Sequence, residues 1–152
     1  MIASLLLLIA STPRAHAQSH PDFSGTWKQD DVRSVPARSG DVTLRIDQHD
    51  PELSVETTIL RPSRPQQHAV QRYTTDNRES VSTGADGDSF RTKIVWQGQS
   101  LVFTIVESED GRTLESTETW TLIDGGSTLK RLRRGSKIQG EQVILYARTP
   151  GM

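Results

Sequence analysis

The chain contains no cysteine, which excludes disulfides, thiolate metal sites, a cysteine nucleophile and an acylated lipoprotein cysteine. Apolar residues make up only 33% and aromatic residues 5% of the 152 residues, so a stable fold must combine a thin core with a polar outer face. Neither sign of charge dominates: 18 Lys and Arg stand against 19 Asp and Glu. Without a cationic excess to release phosphate counterions, nucleic acid is not an expected partner. After the first ten residues no long hydrophobic run remains, and no membrane span, which needs ~20 apolar residues, is expected. Apolar periodicity of the helical kind never persists beyond a turn or two.

Catalytic and metal signatures are equally scarce. His20, His49 and His68 lie in separate polar loops or strand starts, without H-x-H or H-E-x-x-H spacing, and read as surface histidines. No serine sits in a G-x-S-x-G elbow. The stretch "GADGDS" places Asp86 and Asp88 as in a fragment of a calcium loop, but the later ligands and the terminal Glu are missing, so it reads as a hairpin turn. The basic run "KRLRR" alternates between two strand faces instead of forming one patch. No metal, no cofactor and no enzymatic activity are therefore expected.

What is present begins with "MIASLLLLIASTPRAHA", an apolar run from Ile2 to Ala10 followed by Pro13 and by Ala15 and Ala17 around His16. This predicts a secretory signal over residues 1–17 with cleavage near Ala17, hence a secreted or periplasmic protein with one domain over 18–152.

The remainder alternates with period two, as in "VTLRI", "ELSVETTI", "SFRTKIVW", "LVFTIV" and "TETWTLI". Polar breaks fall at residues 30–41 and at Pro62 to Gln67. Early strands are expected at 24–29, 42–48, 52–61, 67–75 and 78–83, and the last at 141–149.

Three tight turns then set the register of the strands between. With Gly98-Gln99 as a turn, Trp96 faces Leu101, Ile94 faces Phe103 and Thr92 faces Ile105. With Asp110-Gly111 as a type I′ turn, Leu101 faces Trp120 and Phe103 faces Glu118. With Gly125-Gly126 as a turn, Trp120 faces Arg131 and Glu118 faces Arg133. One face therefore carries Trp96, Leu101, Trp120 and Arg131, then Ile94, Phe103, Glu118 and Arg133. The other carries Arg91, Lys93, Thr104, Thr117, Thr119 and Thr121, with Val95 and Val102. A sheet with one apolar face and no helices covers that face by curling closed. The expected fold is all-β: an antiparallel up-and-down meander closed into a barrel of about 8–10 strands.

Trp96, Phe103, Glu118, Trp120, Arg131 and Arg133 are the candidate lumen residues. A buried cation needs a partner, and here Glu118 can neutralise Arg133 while Trp120 stacks on Arg131. One positive charge is left in excess, which favours an anionic amphiphile.

Against this background "DFSGTW" resembles the G-x-W signature of lipocalins and related calycins. With "YTTDNRES", "TKIVWQGQSLVFTI" and "ETWTLIDGGSTLKRLRR", residues 22–148 are similar to small lipocalin-like proteins exported by bacteria. The resemblance implies that Gly25 lets the first strand pack closely and that Trp27 plugs the barrel base. It also implies an arginine over the tryptophan, for which Arg148 in "LYART" is the first candidate and Arg133 the second. Fatty-acid-binding relatives hold a carboxylate through an Arg-x-Tyr pair on the last strand; this chain carries Tyr146 and Arg148 in reversed order. The expected function is an exported, monomeric protein binding a small hydrophobic or amphipathic molecule in its lumen. The alternative is an envelope interaction protein whose barrel is filled by its own side chains.

Overall fold

Period-two alternation becomes strand structure along most of the described residues. The computed structural model describes residues 19–37, 40–83 and 88–150; the expected signal segment and Asp86 lie outside the described residues. Ten strands are present among them: β1 Gly25–Val35, β2 Asp41–His49, β3 Glu52–Leu60, β4 Gln67–Thr74, β5 Ser80–Thr83, β6 Ser89–Gln97, β7 Ser100–Glu109, β8 Arg112–Ile123, β9 Thr128–Gly135 and β10 Gln142–Thr149. They form one antiparallel sheet in the order β4-β3-β2-β1-β10-β9-β8-β7-β6-β5. Pairing of β1 with β10, Trp27 opposite Arg148, curls the sheet round. The barrel is nearly closed, since β4 and β5 face each other without a ladder. No helix of the described residues is long and apolar enough to cross a membrane.

The turns place the central strands in the expected register. Trp96 pairs with Leu101 and Ile94 with Phe103, Leu101 with Trp120 and Phe103 with Glu118, and Trp120 with Arg131 and Glu118 with Arg133. Asp110 and Gly111 adopt φ of 47° and 73°, the left-handed pair that a type I′ hairpin requires. The β8–β9 connection is longer than a two-residue turn, because Asp124–Gly126 form a 3₁₀ turn. Ile123 still pairs with Thr128, so widening the loop symmetrically leaves the register unchanged.

One boundary moves substantially. Alternation ends the first strand at residue 29, before a polar connection, yet β1 runs to Val35 through an irregularity between Asp30 and Val35. Polar side chains replace the missing ladder bonds: the Ser34 hydroxyl donates to the Asp30 carbonyl and accepts the Leu145 N–H. A bulge inserts residues out of phase and so erases the alternation by which a strand is recognised.

The core fills the half of the barrel nearest Trp27. Phe23, Trp27, Leu44, Leu53, Ile94, Leu101 and Leu129 are fully buried there, each contributing about 1.5–3 kcal/mol from burial. The opposite half is lined mainly by polar side chains. The β4–β5 connection is pinned to the barrel wall, with the Thr75 N–H donating to the Pro51 carbonyl and the Asn77 N–H to the Ile94 carbonyl.

Candidate functional site: the barrel lumen

Trp27 closes the base. Its indole N–H donates to the Phe23 carbonyl at 2.9 Å, and its side chain is wholly buried. The Arg148 guanidinium carbon lies 4.2 Å from the Trp27 ring centroid, so Arg148, and not Arg133, covers the tryptophan. Arg148 also donates to the carbonyls of Ser24 at 2.7 Å and Gly126 at 3.1 Å, joining the chain's first described residues to the β8–β9 turn. A Cβ on Gly25 would stand 2.8 Å from Arg148 Nη1, and the residue bearing it would have to adopt a φ of 136°, so any other residue strains the backbone and displaces the guanidinium.

The segment ahead of β1 completes the plug. The Phe23 N–H donates to Gln48 Oε1 at 2.9 Å, and Phe23 enters the barrel to pack against Trp96 and Trp120 at 6.0 and 6.2 Å between ring centroids. His20 stacks on Trp96 at 4.0 Å. Trp96 thus belongs to the packed base.

Above the plug the other five lumen candidates meet. Phe103, Glu118, Trp120, Arg131 and Arg133 all border one cavity of about 230 Å³, which Trp96 does not reach. Glu118 is its pivot, 3% exposed. Its Oε1 accepts from both the Trp120 indole N–H and Arg131 Nε, while Oε2 faces Arg133 Nε at 3.1 Å. Arg131 in turn donates to the Tyr146 hydroxyl at 3.2 Å and lies over the Trp120 ring at 5.1 Å.

Burial works against the Glu118 carboxylate, yet the Arg131 guanidinium, aided by Arg133 and the Trp120 N–H, holds its carboxyl below the usual range. Burial likewise opposes the Arg131 charge, and Glu118 outweighs it, keeping Arg131 protonated. Two cations share the Glu118 carboxylate, and a second carboxylate, Glu107, bonded to Lys137, borders the same cavity. Arg131 is held on three sides by Glu118, Trp120 and Tyr146. Arg133 is the more exposed guanidinium, its side chain 35% accessible against 19% for Arg131.

The aromatic wall extends beyond the sequence candidates. Tyr73 meets Phe103 edge-on at 6.0 Å, Phe103 leans on Trp120 at 4.7 Å, and Phe90 also borders the cavity. Burial pushes the Tyr73 hydroxyl up to about 12, so it remains a donor at neutral pH. Phe90 lies on the same face as Thr92 and Ile94 by simple alternation, and Tyr73 pairs with Leu53. Their places follow from the strand period once the registers are extended. The Arg-x-Tyr motif of the last strand is absent, with Ile144 two residues before Tyr146. An Arg–Tyr contact crosses strands instead: Arg131 pairs with Ile144 and donates to the hydroxyl of Tyr146.

Away from Glu118, Asp88, Glu107 and Glu109 bring carboxylates together, and Glu107 also borders the lumen cavity. Lys137 already binds two of them, at 2.9 Å to Glu107 and 2.6 Å to Glu109, and so neutralises part of the cluster's charge. A larger concavity, about 930 Å³ and lined by Lys28, Asp31, Asp41, Leu60 and Arg61, is an open groove. It has neither the enclosure nor the aromatic wall of the lumen.

No family model matches the chain, and no curated protein matches it. Solved structures do. A fatty acid transporter, REP1-NXSQ, superposes with a TM-score of 0.63 at 13% identity, covering 85% of this chain and 97% of that one. Fatty-acid-binding protein 1 of Echinococcus granulosus gives 0.56 at 12% identity, over 84% and 98% of the two chains. A zebrafish ileal bile-acid-binding protein, solved with cholic acid, gives 0.54 at 14% identity, over 84% and 98%. At such identities the likeness is one of architecture: the chain is a ten-stranded, nearly closed antiparallel barrel similar to those of fatty-acid- and bile-acid-binding proteins.

Proposed function

We propose that this is an exported, lipocalin-like binding protein of the bacterial type, acting as a monomer, that holds a small, partly apolar anion in its lumen and catalyses nothing. The observation that carries the reading is the cavity of about 230 Å³ bordered by Phe103, Trp120, Arg131 and Arg133, with Glu118 the single carboxylate between two guanidiniums. An anion entering there meets guanidinium donors beside an aromatic wall, and charge-assisted hydrogen bonds are the strong ones. Arg131 is committed to Glu118, Trp120 and Tyr146, so we assign charge recognition to the more exposed Arg133. The solved relatives named for fatty acid and bile acid binding support the use of such a lumen for amphiphilic anions.

The test is a titration of tryptophan fluorescence with small carboxylates and their alcohols, octanoate against octanol and cinnamate against cinnamyl alcohol. Saturable quenching by the acids, with the preference over alcohols lost in Arg133→Gln, is the expected result. No saturable change with any compound would mean a barrel filled by its own side chains, and equal affinity for acid and alcohol would remove the charge argument. Export is tested separately: the first residue of protein recovered from the periplasm or medium should be Gln18, and an intact leader there would overturn it.

A further inference from the structure

We infer that the lumen ligand is a single-ring aromatic carboxylate carrying hydroxyl or similar polar substituents, not a long acyl chain. This rests on the lumen-binding reading above and narrows its ligand class. The first argument is volume. A cavity of about 150 Å³ accommodates a benzene ring, and pockets for drug-sized ligands start at roughly 300 Å³; the lumen, at about 230 Å³, falls between them. A substituted ring fits within that space, whereas a long chain would have to run out through its mouth. Nor can a chain extend downward, because Phe23, Ile94, Leu101 and Trp27 occupy the base without measurable exposure.

The second argument is the chemistry of the wall. Tyr73 and Phe103 stand at 87° to each other, and Phe103 and Trp120 at 34°. An inserted ring finds both an edge and a face, the arrangements aromatic pairs prefer. The same cavity is bordered by the hydroxyl side chains Thr57, Ser82, Thr92 and Ser116 and the amide of Gln71. A bare methylene chain would strip water from these groups and return no hydrogen bonds, a penalty incurred at each one. A ring bearing hydroxyls answers them, while its carboxylate reaches Arg133.

The experiment is isothermal titration of delipidated protein with 4-hydroxybenzoate, benzoate and dodecanoate. Expected is binding of 4-hydroxybenzoate at least tenfold tighter than dodecanoate and severalfold tighter than benzoate. The double variant Thr92→Val with Ser116→Ala, checked for its fold by circular dichroism, should narrow the gap between the two ring acids. Dodecanoate binding as tightly as or more tightly than 4-hydroxybenzoate overturns this inference and leaves the lumen-binding reading standing. Absence of binding by all three acids, and by those in the fluorescence titration, overturns both. Ring-acid binding that is indifferent to Arg133→Gln and to the double variant places the molecule elsewhere on the protein and also overturns it.

Discussion

Arg148 covers the indole of Trp27 at 4.2 Å while a Cβ on Gly25 would stand 2.8 Å from its guanidinium, so three residues separated in sequence close one end of the barrel together. Trp27→Ala should therefore lower stability by about 3–5 kcal/mol, the usual effect of truncating a buried tryptophan. Gly25→Ala should lower it by about 1–3 kcal/mol, through crowding and a φ of 136° that other residues rarely adopt. Urea unfolding measures both. An unchanged midpoint for Trp27→Ala would show that the indole does not seal the base.

Glu118→Gln removes the anion from between two cations and leaves the buried Arg131 charge uncompensated. The expected loss is about 3–5 kcal/mol at neutral pH. Because the Glu118 carboxyl titrates below its ordinary value of 4.5 in the folded state, its contribution is present above that pH. It is lost as the pH falls further, when the folded state must take up the proton. Acid unfolding of Glu118→Gln should accordingly lack part of the wild-type slope below pH 4.5, and an identical acid limb would count against an ionised Glu118.

Tyr73 gives the opposite limb. Burial lifts its hydroxyl from 10 to about 12, so the folded state retains the proton where the unfolded chain releases it. Stability should be intact below pH 10 and fall by about 2–3 kcal/mol as the pH rises to 12. Tyr73→Phe should flatten that part of the curve, and an unaltered alkaline slope would place the hydroxyl in water.

The carboxylates of Asp88, Glu107 and Glu109 invite a calcium experiment, but Lys137 bonds to Glu107 and Glu109 and neutralises part of their charge. Millimolar calcium should leave the melting temperature of the wild type unchanged. A rise would mean that the ion displaces the lysine.

The features legible in the sequence are those governed by local rules. Asp110-Gly111 and Gly98-Gln99 fix strand register through turn geometry alone, and register fixes which side chains share a face; the same logic pairs Glu118 with Arg133 across two strands from the order of residues alone. The His20 stack on Trp96 and the insertion of Phe23 obey no such rule. They depend on where the segment ahead of β1 folds back, through Gln48, on another strand. The continuation of β1 past Asp30 is hidden for a related reason, since Ser34 finds its partner on β10. Trp96 and Phe103 share an alternation pattern, yet one packs in the base and the other borders the cavity. Height along the barrel depends on what plugs it, which alternation does not encode.

The open seam between β4 and β5 has a topological consequence. In the native chain, ring closure depends on the ladder between β1 and β10, where the Thr149 hydroxyl meets the Thr26 carbonyl across 123 residues of sequence. Every other ladder joins strands adjacent in sequence. A circular permutant that links the ends of β10 and β1 and is cut between Arg78 and Glu79, inside the seam connection, would keep all nine ladders and turn the distant one into a hairpin. Its contact order drops while its final contacts hardly change, so it should fold faster than the natural connectivity at similar stability.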